Sequence, residues 1–125
     1  MSVAKAKAYY TDRSGPKKLN CAQSVIAAFR EEFGLDENTV CLFASFGSGR
    51  APEGECGAFY AAKFILQVNH QDKLDECQNI FISKAGSLKC KEIRKINKLP
   101  CLGCVETIAG FLDRVKIKLP YSRVL

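Results

Sequence analysis

From Asn20 to Gly34, the apolar residues Ala22, Val25, Ile26, Phe29 and Phe33 recur at the spacing that lines one face of a helix. Asn20 is placed to cap the start, because its short side chain can accept from a free N–H of the first turn. Gly34 is placed to end it, where a left-handed residue is favoured. A second helix is predicted from Asp36, carrying Val40, Phe43 and Phe46. Ala58–Val68 is apolar nearly all round, which predicts a central buried helix. Ala58, Ala61 and Ala62 give that helix a small face for close approach. Asp72 is a candidate cap for a fourth helix, with Leu74, Cys77, Ile80 and Phe81 inward and Gly86 at its end. Ser87 is placed to cap a short basic helix over Leu88–Ile96. After Pro100, the residues Cys101, Cys104, Val105, Ile108, Leu112 and Val115 share one face of a last helix, with Phe111 at its flank. No alternating, strand-like pattern occurs. The chain is therefore predicted to be all-α, a compact bundle of about five to six helices with a Gly-rich loop before the central one. It reads as a single domain over 1–125, with irregular ends near 1–18 and 119–125.

The loop runs from Phe46 to Gly57. Three glycines and a proline between Gly47 and Gly54 exclude regular structure there. It lacks the G-x-x-x-x-G-K-[ST] pattern and no strand precedes it, so no bound nucleotide is expected. Gly47, Gly49, Gly54 and Gly57 instead let backbone N–H groups approach a neighbouring site, and such donors tune thiolates and iron–sulfur clusters. Arg50 adds positive charge. Gly47, Gly49, Arg50 and Gly57 are thus the candidate cofactor-binding residues.

Seven cysteines in 125 residues make the composition unusual. Met1–Tyr10 has no apolar h-region, and the longest apolar run is broken by Lys63 and Gln67, so neither export nor a membrane span is expected. A cytoplasmic protein follows, and in a reducing compartment cysteine patterns point to metal or redox chemistry. Cys21, Cys56 and Cys90 fall at or just before predicted helix starts, as does the C-x-x-C pair Cys101 and Cys104. A helix N-terminus stabilises a thiolate, the form that binds metal or attacks a disulfide. Cys41 and Cys77 fall mid-helix among apolar residues and are expected in the core. The pair suits dithiol exchange and equally suits half of a metal site. No βαβ pattern supports a thioredoxin-like protein, and the absence of a second C-x-x-C disfavours a zinc ribbon. His70, the single histidine, follows the central helix in a polar turn and reads as a surface residue, so a catalytic Cys–His pair is unsupported. Tyr9, Tyr10 and Tyr60 read as core residues with a polar tip.

The net charge is +6, with 19 Lys and Arg against 13 Asp and Glu, and much of the excess sits in Lys84–Lys98 and Arg114–Arg123. It reads first as a solvated surface, and as a contact for a partner it suits an acidic protein before nucleic acid. Phe43, Phe46, Phe59 and Tyr60 suit either core packing or a homodimer face.

Five pieces together resemble the C_GCAxxG_C_C family. They are Asn20-Cys21-Ala22-Gln23-Ser24-Val25, Phe46-Gly47-Ser48-Gly49-Arg50, Cys56-Gly57-Ala58-x-x-Ala61, Ser87-Leu88-Lys89-Cys90-Lys91-Glu92 and Cys104-Val105. The resemblance runs from about Ala8 to Leu112. It implies a small helical domain with redox activity and four signature cysteines, carried over as Cys21, Cys56, Cys90 and Cys104. The family also resembles the non-haem part of split-Soret cytochromes, which implies an iron–sulfur cluster. No C-x-x-C-H is present, so covalent haem is not implied. Ala61 stands where the family pattern ends in glycine, Glu55 stands where it has glycine before the cysteine, and Cys101 is additional.

The combined expectation is a redox carrier, rather than a substrate-converting enzyme, serving an oxidoreductase partner. Its redox-active thiols are Cys21, Cys56, Cys90 and Cys104, and Cys101 joins them as candidate metal ligands. The cofactor is an iron–sulfur cluster, with a reversible dithiol and a structural zinc site as alternatives. Each version requires these sulfurs to converge, since zinc–sulfur bonds are about 2.3 Å and disulfides need Cα atoms within about 7 Å.

Overall fold

Asn20 does two jobs at the start of a helix. Its side-chain oxygen accepts from the Gln23 N–H at 2.8 Å, and Gln23 Oε1 accepts from the Asn20 N–H at 3.1 Å. This reciprocal cap satisfies two free donors at the start of a helix. The Asn20 amide nitrogen then donates to the carbonyls of Phe43 (3.2 Å) and Ala44 (2.9 Å), and Gln23 Nε2 donates to that of Val40 (3.1 Å). The cap therefore also ties two chain segments together.

The computed structural model describes residues 2–11, 19–46, 51–69 and 71–117. Among them are seven α-helices: α1 (Ser2–Thr11), α2 (Cys21–Ala28), α3 (Glu37–Leu42), α4 (Gly57–Asn69), α5 (Leu74–Ala85), α6 (Cys90–Ile96) and α7 (Cys101–Ile117). Short 3-10 turns cover Phe43–Phe46, Pro52–Gly54 and Gln71–Lys73. No strand occurs among the described residues; a single antiparallel bridge joins Glu55 to Lys89. The all-α expectation holds, with more helices than predicted. No helix among the described residues is long and apolar enough to cross a membrane.

Several boundaries differ from the sequence reading. Residues 2–11 form α1 where an irregular end is expected. Ala4, Ala6 and Ala8 are strong helix formers, and Ala6 is fully buried in the core. Positions 12–18 and 119–125 lie outside the described residues. α2 stops at Ala28, and turns carry the chain to Gly34, which has a φ of +68°. Asp36, where the second helix is predicted to begin, instead caps α3, accepting from the Thr39 N–H at 3.0 Å. Asp72 does not cap α5: it lies in the preceding 3-10 turn, and Lys73 occupies the cap position. Ser87 acts just ahead of α6, accepting from the Lys89 N–H at 3.1 Å and donating to Glu92 at 2.6 Å.

α4 is the centre of the bundle, packed on α2, α5 and α7, while α1 lies across α2 and α7. Ala58, Ala61 and Ala62 are fully buried, so the alanine at 61 supplies the small contact surface that the family pattern fills with glycine. Phe59 stacks on Phe81 at 5.5 Å. Phe43, Phe46, Tyr60 and Phe64 form an edge-to-face cluster, so the aromatic residues near the loop pack on one another. Cys77 is buried, as expected. Cys41 is exposed, contrary to its expected core position, because the six-residue α3 lies at the margin and buries none of its residues.

Asn20→Ala removes the cap and both ties to the 43–44 segment. It is expected to lower unfolding stability by about 1–2 kcal/mol or more, read as a reduced urea midpoint at unchanged m-value.

Candidate functional site

Cys21 is the first residue of α2, held there by the Asn20 cap. Cys56 immediately precedes α4, and its N–H donates to the Leu88 carbonyl at 2.7 Å. That bond and the Glu55–Lys89 bridge hold the approach to α4 against the approach to α6, which opens with Cys90. α7 opens with Cys101, and the Cys104 N–H donates to the Pro100 carbonyl at 3.0 Å, closing the first turn of the C-x-x-C. Four stretches of chain thus deliver their cysteines at helix starts. All five line one cavity of about 140 Å³, together with Ile93, Arg94, Asn97, Leu99 and Pro100. All seven cysteines are free thiols.

The sulfurs form an ordered series of hydrogen bonds. Cys101 is hydrogen-bonded with Cys21, Cys21 with Cys56, and Cys56 with Cys104. Backbone N–H groups of Ala58 and Phe59, in the first turn of α4, donate to Cys21 and Cys56. The Tyr10 hydroxyl donates to Cys101. Cys21, Cys56 and Cys104 are buried, whereas Cys90 and Cys101 are half-buried.

This arrangement keeps protons on sulfur. At Cys21 the largest influence is the Cys101 thiol, which favours the thiolate. The bond with Cys56 and burial outweigh it and push Cys21 up to about 11. Cys56 is held well above the ordinary thiol range, first by its bond to Cys104 and then by burial, despite the opposing bond with Cys21. Cys101 is raised likewise, chiefly by its bond to Cys21 and then by burial, with Tyr10 and the Arg94 charge opposing. The thiolate-stabilising effect expected of helix starts is therefore overcome by neighbouring thiols and burial.

Gly57 fixes the spacing. A Cβ there would lie 2.7 Å from Cys21 Sγ, 2.8 Å from the Phe46 carbonyl oxygen and 3.2 Å from Ala22 Cβ. Only glycine lets the α4 backbone approach this sulfur so closely. Gly47, Gly49, Arg50 and His70 lie outside the described residues. Glu55 occupies extended backbone with no positive φ, so glycine is not needed at that position. Its carboxylate is buried, with Oε1 2.8 Å from Lys63 Nζ but outside hydrogen-bonding geometry, so the attraction is mainly Coulombic. Lys63 also lies over the rings of Phe59 and Tyr60.

Two polar groups that the sequence did not assign to the site act on its thiols, Arg94 in the cavity wall and Tyr10 through its bond to Cys101. Arg94 is four residues after Cys90 on the same face of α6, a spacing that signals their proximity. Tyr10 reaches the site from α1, a helix with no visible pattern connecting it to the cysteines.

Among the described residues, no three His, Cys, Asp or Glu side chains are grouped to hold a metal ion. The thiols surround a space instead. It is well above the roughly 10–15 Å³ needed by one water. A wider groove of about 900 Å³ runs between α1, α2 and α3 and reaches Cys41. It contains one thiol, and its charged residues Arg30 and Glu37 pair with each other at 2.8 Å, so it lacks the chemistry of the five-cysteine cavity.

A family model described as "Putative redox-active protein (C_GCAxxG_C_C)" matches residues 19–115. No curated protein and no solved structure gives a significant match.

Gly57→Ala is expected to destabilise the fold by about 1–3 kcal/mol and to expose Cys21, read by urea unfolding and faster alkylation of that thiol. Cys21 and Cys77 provide a pH test in metal-free protein. Burial pushes Cys77 up to about 12, with Glu76 adding to the effect. Both native thiols keep their protons above the ordinary value of 9.0, where the unfolded chain releases them. Stability is therefore full below pH 9 and falls as pH rises toward 11, read as a lower urea midpoint at about pH 10.5 than at about pH 7.5.

Proposed function

Because this chain belongs to the C_GCAxxG_C_C family, we propose that it is an electron carrier whose five-cysteine cavity holds an iron–sulfur cluster. The supporting observation is that five thiols from four chain stretches line one space. A zinc ion needs its sulfurs about 2.3 Å from one centre. The four cysteines of a cluster are shared among its irons and stand around a volume. Cys21, Cys56 and Cys104, the buried members, are assigned as ligands, and Cys90 or Cys101 completes the set. When bound, such a group takes up and returns electrons. The chain's own residues make it tolerable. The Ala58 and Phe59 N–H groups stabilise negative charge on Cys21 and Cys56, Arg94 supplies positive charge, and Ile93 and Leu99 contribute apolar wall. Loading displaces the protons held by the ligating thiols and is therefore favoured by rising pH. A reducing cytoplasm suits these free thiols.

A reversible disulfide is the second reading, favoured by the direct contacts Cys101–Cys21 and Cys56–Cys104. Its weakness is that exchange begins with a thiolate, and Cys21, Cys56 and Cys101 are held protonated.

Anaerobic reconstitution with ferrous iron and sulfide is expected to give a brown protein with charge-transfer absorption in the visible. Cys56→Ser and Cys104→Ser should each lower bound iron several-fold, while Cys41→Ser, outside the cavity, should leave it unchanged. Colourless, iron-free protein overturns the cluster assignment. Stoichiometric zinc without visible absorption replaces it with a structural zinc site. Oxidant-dependent loss of alkylatable thiols, paired as Cys101–Cys21 or Cys56–Cys104 by mass spectrometry, replaces it with dithiol chemistry.

A further inference from the structure

The five-cysteine cavity is covered on one side by α6, and that helix carries an unusual charge. Cys90, Ile93, Arg94 and Asn97 of α6 and its C-terminal end line the cavity. Cys90 and Cys101 are the half-buried members of the thiol set, so the sulfurs come nearest to solvent beside α6. Between Lys84 and Lys98 stand six basic residues, Lys84, Lys89, Lys91, Arg94, Lys95 and Lys98, against one acid, Glu92. This stretch has a net charge of +5 in a chain whose total is +6. All six are exposed, and Glu92 accepts from the Ser87 hydroxyl at 2.6 Å.

The patch also has an apolar component. Ile96 is 50% exposed and Ile82 on α5 is 38% exposed. Ile96 lies over Gly86, where an added Cβ would be 3.0 Å from its Cδ1, so the helix end and the isoleucine are held together. Lys98 donates to the Ser83 carbonyl at 3.0 Å and joins α5 to the same surface. A basic field around exposed apolar residues suits a protein surface of opposite charge, because charge steers the encounter while the apolar contact is buried on docking. Nucleic acid fits less well. α6 is only about 10 Å long, and the stretch Lys84–Lys98 contains no aromatic side chain on which a base can stack.

We propose that the surface from Lys84 to Lys98, centred on α6, is the docking site for an acidic redox-partner protein and places that partner over the mouth of the thiol cavity. The redox character of the partner rests on the preceding reading of the cavity; the location and sign of the docking surface rest on charge and exposure.

The test uses the full chain, with poly-L-glutamate as an acidic polypeptide probe and a DNA duplex as competitor. Amide chemical shifts are expected to move mainly over Cys90–Lys98 and at the cavity mouth, with binding weakening as salt is added. Lys91→Glu with Lys95→Glu reverses charge at two exposed positions and should weaken polyglutamate binding about tenfold or more. Lys91→Gln with Lys95→Gln should weaken it less, and circular dichroism confirms that both variants are folded. With the cavity loaded and reduced, oxidation by ferricyanide should slow about tenfold in the Glu variant, while oxidation by a cationic cobalt(III) ammine should not slow. Shifts centred elsewhere, or binding unchanged by either variant, overturn the proposal. Tighter binding of the duplex than of polyglutamate at equal salt replaces it with a nucleic-acid surface. The polyglutamate arm does not depend on what the cavity holds, so failed iron loading overturns the cluster and leaves this result readable.

Discussion

The approach of α4 to the Cys21 sulfur is the contact around which the site is built. Gly57 has no side chain, and the space a methyl group would require is already occupied by Cys21 Sγ and the Phe46 carbonyl. From that crossing follow the burial of Cys21, its contact with Cys56 and the donation from Ala58. The aromatic cluster of Phe43, Phe46, Tyr60 and Phe64 supports the same crossing from outside, and the Asn20 cap secures it from the α2 side. Backbone hydrogen bonds then bring in the remaining sulfurs: Cys56 to Leu88 aligns the approaches to α4 and α6, and Pro100 to Cys104 starts α7.

A group of thiols can be buried this way because a protonated thiol is nearly apolar. Cys101, Cys21, Cys56 and Cys104 are hydrogen-bonded in series, so they interact as dipoles rather than as repelling charges. A cation changes the balance, because a coordinated thiol gives up its proton and attraction to the metal outweighs repulsion between neighbours. The two N–H donors of α4 and the Arg94 guanidinium then become stabilising contacts.

The helical class and the five cysteines that line one cavity were legible because each has a local signature. The 3.6-residue spacing marks α2, α4 and α7, and the cysteines at helix starts mark the five that meet. Exceptions arise where long-range packing decides. Cys41 has an apolar neighbourhood in sequence, but its short helix buries none of its residues against the described chain and leaves the thiol exposed. α1 has little amphipathic pattern, since its alanines pack by being small, and Tyr10 reaches Cys101 through that packing. The acidity of Cys21, Cys56 and Cys101 departs from the sequence expectation for a related reason. Position at a helix start is written in the sequence, whereas the identity of the neighbouring sulfur is a property of the assembled bundle.

The antiparallel bridge between Glu55 and Lys89 also bears on how the molecule comes into being. It closes a segment containing all of α4 and α5, and the cysteine set is completed only when α7 packs on the helices already joined. Contacts spanning so much chain are entropically costly to make early and tend to form late in folding. On a ribosome, a chain that has not yet released α7 lacks both thiols of the C-x-x-C. The lining of the cavity is therefore complete only in a chain whose bundle has closed.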